Sequence, residues 1–309
     1  MIKRTIVGIL YGLIFGGSIL LGLWFPSITV ACFGLYAFTL AYELKAALHT
    51  NTTYKDTYWS QIIYYLMGLS FLIPYAVRPV EKYMTRAGFF PPYFPLSVDN
   101  MKMLYTTSFL FTMLAIVYAA FMLLQGSTGA FMQILTHIFA AAYLTIPFAF
   151  ALCLLESSYS FGWLILAVLT VWGSDTFAYF IGSKYGKKKA FGALSPHKTQ
   201  EGVLAACLSA AAIYFIFGVY LLFSRPMSFS QGFCTLLMMT VLGFITGIIA
   251  VFGDLFASAM KRSVGIKDFS NLLPGHGGLM DRLDSSLFVW PAVFFQYFFI
   301  TQMIANFKY

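Results

Sequence analysis

The sequence predicts an all-α polytopic integral membrane protein, and three observations lead to this fold class. The chain of 309 residues is 60% hydrophobic and only 10% charged, whereas an ordinary soluble domain is about a quarter charged. Aromatic residues make up 19% of the chain, which excludes disordered and fibrous proteins. The apolar residues also form continuous runs of about 20, the length that a helix needs to cross a bilayer. Such runs exclude a β-barrel, because barrel strands alternate apolar and polar residues.

Nine apolar runs have spanning length, and together they predict about nine transmembrane helices. In chain order they are Thr5–Phe25, Ile28–Leu48, Tyr58–Val77, Leu104–Leu124, Phe131–Leu155, Phe161–Ile181, Val203–Phe223, Gly232–Ala257 and Ser286–Phe307. The first run follows Lys3 and Arg4 as a signal peptide would, but it is long enough to span and no small-residue cleavage site follows it. We therefore expect it to be a membrane helix.

The basic residues predict how these helices are oriented. The chain has 19 Lys and Arg residues against 11 Asp and Glu residues, a net charge of +8. With nine spans and a cytoplasmic N-terminus, 13 of the 19 basic residues fall in cytoplasmic segments, as the positive-inside rule requires. The outer segment 78–103 holds four basic residues, and one helix more or fewer before it would change its side. Because topology accounts for the positive charge, we expect no nucleic-acid partner.

This arrangement predicts two regions along the chain. Residues 1–155 form the N-terminal transmembrane helices, and residues 156–309 form a C-terminal catalytic region. The two longest polar segments of the C-terminal region, 182–202 and 258–284, then lie together on the cytoplasmic face. Each follows a predicted span that contains an acidic residue.

These acidic residues are Asp175, in the segment Trp172–Gly182, and Asp254, in the segment Phe252–Ser258. A charge inside a span costs roughly 3 kcal/mol at the helix centre, so it indicates a functional site by default. The alternative is structural, namely that each carboxylate reaches the membrane interface or pairs with a nearby lysine. The sequence leaves both interpretations open.

The segment 258–284 and the end of the span before it combine cations, carboxylates and glycines. The charged residues are Asp254, Lys261, Arg262, Lys267, Asp268, Asp281, Arg282 and Asp284. The turn Pro274–Gly278 allows the backbone to approach a ligand closely, because glycine has no Cβ. Carboxylate oxygens, cations and exposed backbone N–H groups are what a Mg²⁺–polyphosphate complex needs. The pattern therefore predicts a site for phosphate groups and a metal.

At this segment the chain resembles the phosphatidate cytidylyltransferases, also called CDP-diacylglycerol synthases. The resemblance rests on Ser258-x-x-Lys261-Arg262-x-x-x-x-Lys267-Asp268-x-Ser270-x-x-Leu273-Pro274-x-His276-Gly277-Gly278-x-x-Asp281-Arg282-x-Asp284. It extends upstream to Gly253-Asp254, Ser195–Gly202 and Asp175–Gly182, and so covers about the C-terminal 140 residues. His197 departs from the family, whose members usually carry lysine there, which puts a cationic role at this position in doubt.

The resemblance implies a reaction in which phosphatidate and CTP give CDP-diacylglycerol and pyrophosphate. It also implies a requirement for Mg²⁺, a second, monovalent cation such as K⁺, and a homodimer. The implied catalytic residues are Asp254, Lys261, Asp281 and Arg282. The implied metal ligands are Asp254, Asp281 and Asp284. The implied substrate-binding residues are Asp175, Ser195, Lys198, Thr199, Ser258, Arg262, Lys267, Asp268, His276 and Gly277.

His276 is the one candidate for a general base, but phosphatidate is already ionised near neutral pH and needs no strong base. We expect His276 to donate to a phosphate oxygen or to hold the loop in place. Lys184 and the run Lys187–Lys189 either steer CTP to the site or act only as topological anchors.

Two other functions stay open at this stage. A CTP-dependent lipid kinase would transfer the γ-phosphate and release CDP instead of pyrophosphate. An ion-coupled transporter would use Asp175 and Asp254 as coupling carboxylates, but the sequence shows no inverted repeat with paired broken helices. The absence of a transit peptide favours the bacterial inner membrane as the expected location, with the N-terminus in the cytoplasm.

Overall fold

The structure is a computed structural model that describes residues 2–49, 57–76, 100–125, 130–155, 158–192, 194–224 and 227–306. Most of the predicted outer segment 78–103 lies outside the described residues. The helices are α1 (Ile2–Leu20), α2 (Pro26–His49), α3 (Tyr58–Gly68), α4 (Asn100–Leu124), α5 (Ala130–Leu154), α6 (Ser158–Tyr185), α7 (Gln200–Ser224), α8 (Phe229–Ser263) and α9 (Met280–Asn306). Two short strands, β1 (Lys189–Phe191) and β2 (Ser195–Thr199), lie between α6 and α7.

Within the described part of the chain, seven helices are long and apolar enough to cross a membrane, which confirms the predicted fold class. Their apolar spans are Pro26–Leu48, Met103–Leu124, Ala130–Leu154, Ser160–Tyr185, Gln200–Ser224, Phe229–Ser263 and Met280–Met303. The first predicted run contains a shorter apolar helix, Leu10–Leu23, and α3 ends at Gly68. The predicted number of nine spans therefore stays a prediction.

The chain packs as two compact units. The N-terminal unit contains Met1–Glu156 together with Asp268–Met280, and the C-terminal unit contains Ser157–Lys267 together with Asp281–Tyr309. The sequence-based division instead placed 268–280 in the C-terminal region. The segment differs because its backbone folds against helices of the N-terminal unit.

In the N-terminal unit, α5 supplies much of the core. Phe148 of α5 packs edge-on against Phe33 of α2, with ring centroids 5.6 Å apart, and stacks on Phe71 at 5.3 Å. The hydroxyl of Thr145 donates to the carbonyl of Met67 at 2.7 Å. Since no water is available in the bilayer core, such buried polar groups must find partners inside the protein.

In the C-terminal unit, α7 lies against both α6 and α8. A closed set of three buried hydrogen bonds joins α7, α8 and α9. Tyr214 donates to Gln296 at 2.6 Å, Gln296 donates to Thr246 at 2.9 Å, and Thr246 donates to Tyr214 at 3.2 Å. This ring fixes the relative height of the three helices, two of which carry predicted site residues.

The strands β1 and β2 form an antiparallel hairpin within the predicted loop 182–202. Lys189 pairs with Thr199, and Phe191 pairs with Ser195. Glu201, in the first turn of α7, accepts backbone N–H bonds from Lys187 at 3.1 Å and from Lys188 at 3.4 Å. The hairpin is thereby fixed to the start of α7, at the same end of the unit as the C-terminus of α8.

Candidate active site

The first contact of the site joins the hairpin to α8. Lys198 of β2 lies 2.6 Å from the Oδ2 atom of Asp254, and the two side chains are 25% and 33% exposed. Ser258, one turn further along α8, donates its hydroxyl to Asp254 Oδ1 at 3.4 Å. The structure thus brings together three residues that the sequence predicted. It also shows that Asp254 pairs with a lysine, as the structural alternative required, and that this lysine is itself a predicted substrate-binding residue.

The second contact joins α8 to the first turn of α9. Lys261 donates to the Oδ1 atom of Asp281 at 2.7 Å, and the two side chains are only 11% and 6% exposed. Both residues were predicted to be catalytic. Their pairing is more deeply buried than that of Lys198 with Asp254, so water screens it less.

Gly253 explains why α8 and α9 approach each other at this point. A Cβ atom at position 253 would lie 2.9 Å from the Cα of Ser285 and 3.0 Å from the carbonyl oxygen of Asp284. Real Cβ atoms do not approach backbone atoms so closely. In the Gly253-Asp254 pair, the glycine therefore allows the close helix contact, and the carboxylate that the sequence predicts to be functional follows it directly.

Asp284 and Asp175 complete a cluster of carboxylates in the C-terminal unit. Asp284 is 7% exposed, and its Oδ1 atom accepts the backbone N–H of Ser285 at 2.7 Å. It interacts electrostatically with Asp254, Asp175 and Lys261. Asp175 of α6 interacts in turn with Asp254, Lys198 and Arg282. Residues from α6, β2, α8 and α9 therefore converge in a mixed group of carboxylates and cations.

This cluster fits Mg²⁺ by the chemistry of its donors. Carboxylate oxygens are the protein ligands that Mg²⁺ prefers. The carboxylates of Asp175, Asp254 and Asp284 interact electrostatically with one another. Among the described residues, no group of three His, Cys, Asp or Glu side chains is arranged to enclose a metal. Mg²⁺ is ordinarily held by one or two carboxylates together with water and substrate phosphates. The donors therefore fit a metal that is shared with a nucleotide, not one enclosed by protein ligands alone.

Arg262 and Lys267 lie near the end of α8. The backbone N–H of Ile266 donates to Lys261 O at 2.9 Å, and that of Gly265 donates to Arg262 O at 3.2 Å. With Gly265 at φ +75°, this is a Schellman motif, which terminates a helix through a left-handed glycine. The Arg262 side chain donates to Ile266 O at 3.0 Å, while Lys267 is exposed. Substrate contacts by Arg262 and Lys267 stay predictions.

Three predicted substrate-binding residues, Ser195, Lys198 and Thr199, lie on the strand β2. Ser195 is half-buried and His197 is exposed. The buried Thr199 accepts the backbone N–H of Gly202 through its hydroxyl at 3.2 Å, and so caps the start of α7. Thr199 therefore has a structural function in the fold, and its predicted contact with substrate is untested.

The remaining predicted residues lie in a tight loop of the N-terminal unit. The backbone N–H of Leu273 donates to Gly277 O at 2.9 Å, and that of His276 donates to Leu273 O at 2.8 Å. Gly275 and Gly277 have φ values of +79° and +80°, which side-chain-bearing residues rarely adopt. Asp268 is exposed at the start of this segment. The turn itself therefore requires these glycines, and a contact of Gly277 with substrate stays a prediction.

His276 lies close to α1 within the same unit. A Cβ atom at Gly8 would lie 3.1 Å from His276 Nε2, so the imidazole occupies space that a larger residue on α1 would fill. This contact favours the interpretation that His276 helps to hold the loop in place. A general-base function receives no support from this placement.

Glu43 contacts this loop, and it was not among the residues predicted from the sequence. It lies in α2, is 2% exposed, and accepts hydrogen bonds from the hydroxyl of Ser270 at 2.5 Å and from the N–H groups of Leu279 at 2.9 Å and Met280 at 2.7 Å. A signal for it was present, since Glu43 is an acidic residue inside the predicted span Ile28–Leu48. The rule applied to Asp175 and Asp254 would have selected it as well.

Comparison with known proteins finds one matching family and several similar proteins. Residues 2–300 match the sequence profile of a family described as the cytidylyltransferase family. A phosphatidate cytidylyltransferase of Bacillus subtilis is 36% identical over 137 residues, which are 44% of this chain and 48% of the relative. One of Helicobacter pylori is 43% identical over 126 residues, 41% of this chain and 42% of the relative. One of Staphylococcus saprophyticus is 31% identical over 179 residues, 58% of this chain and 64% of the relative. The chain thus aligns with about half the length of the curated relatives it matches.

Proposed function

The chain belongs to the cytidylyltransferase family, and from this premise we propose that it transfers the cytidylyl group of CTP to phosphatidate. The products are CDP-diacylglycerol, a precursor for phospholipid synthesis, and pyrophosphate. The observation that carries the proposal is that Asp284 interacts electrostatically with both ion pairs of one unit, through Asp254 of the first and Lys261 of the second, and with Asp175. The names of the similar proteins support the choice of substrates.

The proposed step is a displacement at phosphorus. A phosphate oxygen of phosphatidate bonds to the α-phosphorus of CTP, while the bond from that phosphorus to the oxygen bridging the α- and β-phosphates breaks. The electron pair leaves with pyrophosphate. Both reactants are anions, so the main barrier that a protein must lower is electrostatic.

In this proposal, the cations of the C-terminal unit lower the electrostatic barrier between the two anionic reactants. We assign Lys261 and Arg282 to neutralise the phosphates during transfer, and Lys198 to bind CTP. An ammonium group has three donors, so its pairing with a carboxylate does not exclude a phosphate contact. Mg²⁺, held by one or two of the carboxylates Asp254, Asp281 and Asp284 together with the phosphates of CTP, would neutralise charge on the phosphate oxygens. Those carboxylates, in turn, keep the lysines oriented.

We also propose substrate contacts by the other predicted residues. In the C-terminal unit these are Asp175, Ser195, Thr199, Ser258, Arg262 and Lys267, and in the loop of the N-terminal unit they are Asp268, His276 and Gly277. We further propose an integral protein of the bacterial inner membrane, active as a homodimer, with the N-terminus and the site on the cytoplasmic side. A monovalent cation such as K⁺ accompanies the Mg²⁺, and nucleic acid is not a partner.

The direct test is to incubate the purified protein with Mg²⁺, phosphatidate and CTP labelled in the cytidine or α-phosphate. We expect labelled CDP-lipid and an equal amount of pyrophosphate, both dependent on phosphatidate. The Asp254→Asn and Asp281→Asn variants should insert into membranes normally but form no CDP-lipid. Omission of Mg²⁺ should stop the reaction as well.

Other products would contradict the proposal. Labelled CDP with a phosphorylated lipid would indicate a lipid kinase, since that product results from transfer of the γ-phosphate. Full activity of either purified aspartate variant would disprove the assigned metal ligands while leaving the reaction itself intact.

A further inference from the structure

Glu43 satisfies three hydrogen-bond donors, and all three come from one segment of chain more than two hundred residues away. We infer that Glu43 is a positioning residue for the transfer reaction, because it fixes the loop 268–280 and with it the beginning of α9. This inference rests on the proposed function for its effect on rate, but the hydrogen bonds themselves are independent of it. Glutamate is almost never fully buried without partners, and at 2% exposure Glu43 depends on these donors.

The bonds to Leu279 and Met280 hold the start of a helix. Met280 is the first residue of α9, and the first N–H groups of a helix have no partner within the helix. A negative charge at this end is also favoured by the helix dipole. One peptide bond beyond Met280 lies Asp281, the partner of Lys261. Whatever fixes the N–H of Met280 therefore limits how far the backbone of Asp281 can move.

Gly278 provides a second and independent observation. A Cβ atom at this position would lie 2.8 Å from both carboxylate oxygens of Glu43. Unlike Gly275 and Gly277, Gly278 does not have a positive φ, so its backbone does not require glycine. The space occupied by Glu43 is then the reason for glycine at 278. The loop sequence and Glu43 are matched to each other.

The central experiment replaces the carboxylate by an amide of the same shape, Glu43→Gln. A glutamine side chain has one acceptor oxygen and an NH₂ group, so its NH₂ must face at least one of the donors that Glu43 now accepts. We expect amide hydrogen exchange in a peptide covering 268–282 to rise by roughly tenfold, because the bonds that protect this segment are lost. Pyrophosphate release at saturating substrates should fall by about 10- to 100-fold, as for other small displacements of catalytic groups.

The matched control is Thr29→Val on the same helix. Thr29 is fully buried and donates to Ser18 O at 2.5 Å, so the control also loses one buried polar contact of α2. Thr29 lies about four helical turns before Glu43 on α2, so the control leaves the bonds of Glu43 in place. We expect Thr29→Val to lower the thermal midpoint to a similar degree, while exchange in 268–282 and the turnover rate stay near those of the wild type.

A second route acts from the loop side and serves even if Glu43→Gln is poorly expressed. Gly278→Ala should weaken the hydrogen bonds between Glu43 and the loop, because the added Cβ displaces the carboxylate. The resulting rise in amide hydrogen exchange should be smaller when Glu43 is replaced by alanine in the same chain. Such non-additivity is the mark of a direct contact. The cycle compares Gly278→Ala, Glu43→Ala and the double variant.

The outcomes that overturn the inference are specific. Unchanged exchange in Glu43→Gln would show that Glu43 does not hold the loop. Faster exchange with an unchanged rate would show that the loop is held but does not position the reacting groups. An equal rate loss in Thr29→Val would show a general effect on stability. If the wild type catalyses a different transfer, the proposed function fails, while the exchange results and the rate of that other reaction still decide the inference.

Discussion

At the scale of single residues, the two ion pairs of the site differ in burial, and this difference predicts different behaviour. The pair of Lys261 with Asp281 is 11% and 6% exposed, whereas that of Lys198 with Asp254 is 25% and 33% exposed. Removal of one partner from a buried pair leaves an uncompensated charge, while exposed pairs contribute at most about 1 kcal/mol. The first pair should therefore affect both stability and activity, and the second mainly activity.

Stepwise removal of the two charges tests the buried pair of Lys261 with Asp281. We expect Asp281→Asn to lower the free energy of unfolding by about 3 kcal/mol, because it leaves the Lys261 ammonium without its carboxylate. Adding Lys261→Met should recover part of that loss, since the unpaired ammonium is gone although Asp284 loses a nearby cation, but no pyrophosphate release should return. Thermal unfolding in detergent and the pyrophosphate assay measure the two effects separately. A double variant that recovers none of the lost stability would contradict the assignment of a direct, buried pair.

The residue scale also shows which parts of the site a sequence can reveal. Asp254, Asp281 and Asp284 were predicted because they stand among cations and glycines within about thirty residues. Glu43 was not, because its donors Ser270 and Met280 are 227 and 237 positions away. No spacing pattern links such positions. Only the general rule on acidic residues in spans would have selected Glu43, and that rule does not identify its partners.

At the scale of elements, the end of α8 depends on one backbone conformation. Gly265 has φ +75°, and nothing lies within 4 Å of a Cβ atom built on it. A substitution there is therefore strained by the backbone alone and not by crowding. We expect Gly265→Ala to destabilise the protein by about 1 kcal/mol and Gly265→Asn to destabilise it less, because asparagine tolerates the left-handed region. Equal thermal midpoints for the two variants would contradict this explanation.

The packing of α8 on α7 depends on space instead. A Cβ atom at Gly243 would lie 2.6 Å from Tyr214 Cβ, and one at Gly247 would lie 2.7 Å from Cys207 Cα. Two glycines four residues apart allow membrane helices to approach closely. Since Asp254 follows Gly247 by about two turns of the same helix, this packing also sets the position of a proposed metal ligand.

We therefore expect Gly247→Ala to destabilise the protein by about 1–3 kcal/mol, as overpacking does in cores, and to reduce activity. The matched control is Gly12→Ala on α1, where nothing lies within 4 Å of the added Cβ. Alanine is the better helix former, so the control should be neutral or slightly stabilising. Thermal unfolding of both variants measures the difference. A control that loses as much stability as Gly247→Ala would show that helical glycines in this chain matter for a reason other than packing.

The hairpin β1–β2 was not predicted, and the reason is again local. Its strands have three and five residues, include Pro196 and the charged side chains of Lys189 and Lys198, and show no clear alternation. Such sequences indicate a loop. The hairpin depends on tertiary contacts, namely the carboxylate of Glu201 at its base and the ion pair of Lys198 with Asp254.

At the scale of the whole molecule, the fold class could be predicted because a bilayer leaves few choices for a spanning backbone. Apolar runs therefore locate helices well. The division into two units could not be predicted in the same way. The segment 268–280 belongs to the N-terminal unit and contacts Glu43 and Gly8 there. Neither contact can be inferred from the hydropathy of the sequence.

The distribution of the basic residues predicts the orientation of the chain in the membrane. Lys188 stands before the start of α7, and Ser230 stands after its end. Because α7 crosses the C-terminal unit, these two exposed residues lie at opposite ends of the unit. If the positive-inside rule orients the chain, with 13 of 19 basic residues inside, the hairpin faces the cytoplasm. In a background where Cys32, Cys153, Cys207 and Cys234 are replaced, an impermeant maleimide should label Lys188→Cys in inverted membrane vesicles only, and Ser230→Cys in spheroplasts only. The reverse pattern would place the carboxylate cluster on the outer face, away from cytoplasmic CTP, and would contradict both the orientation and the proposed reaction.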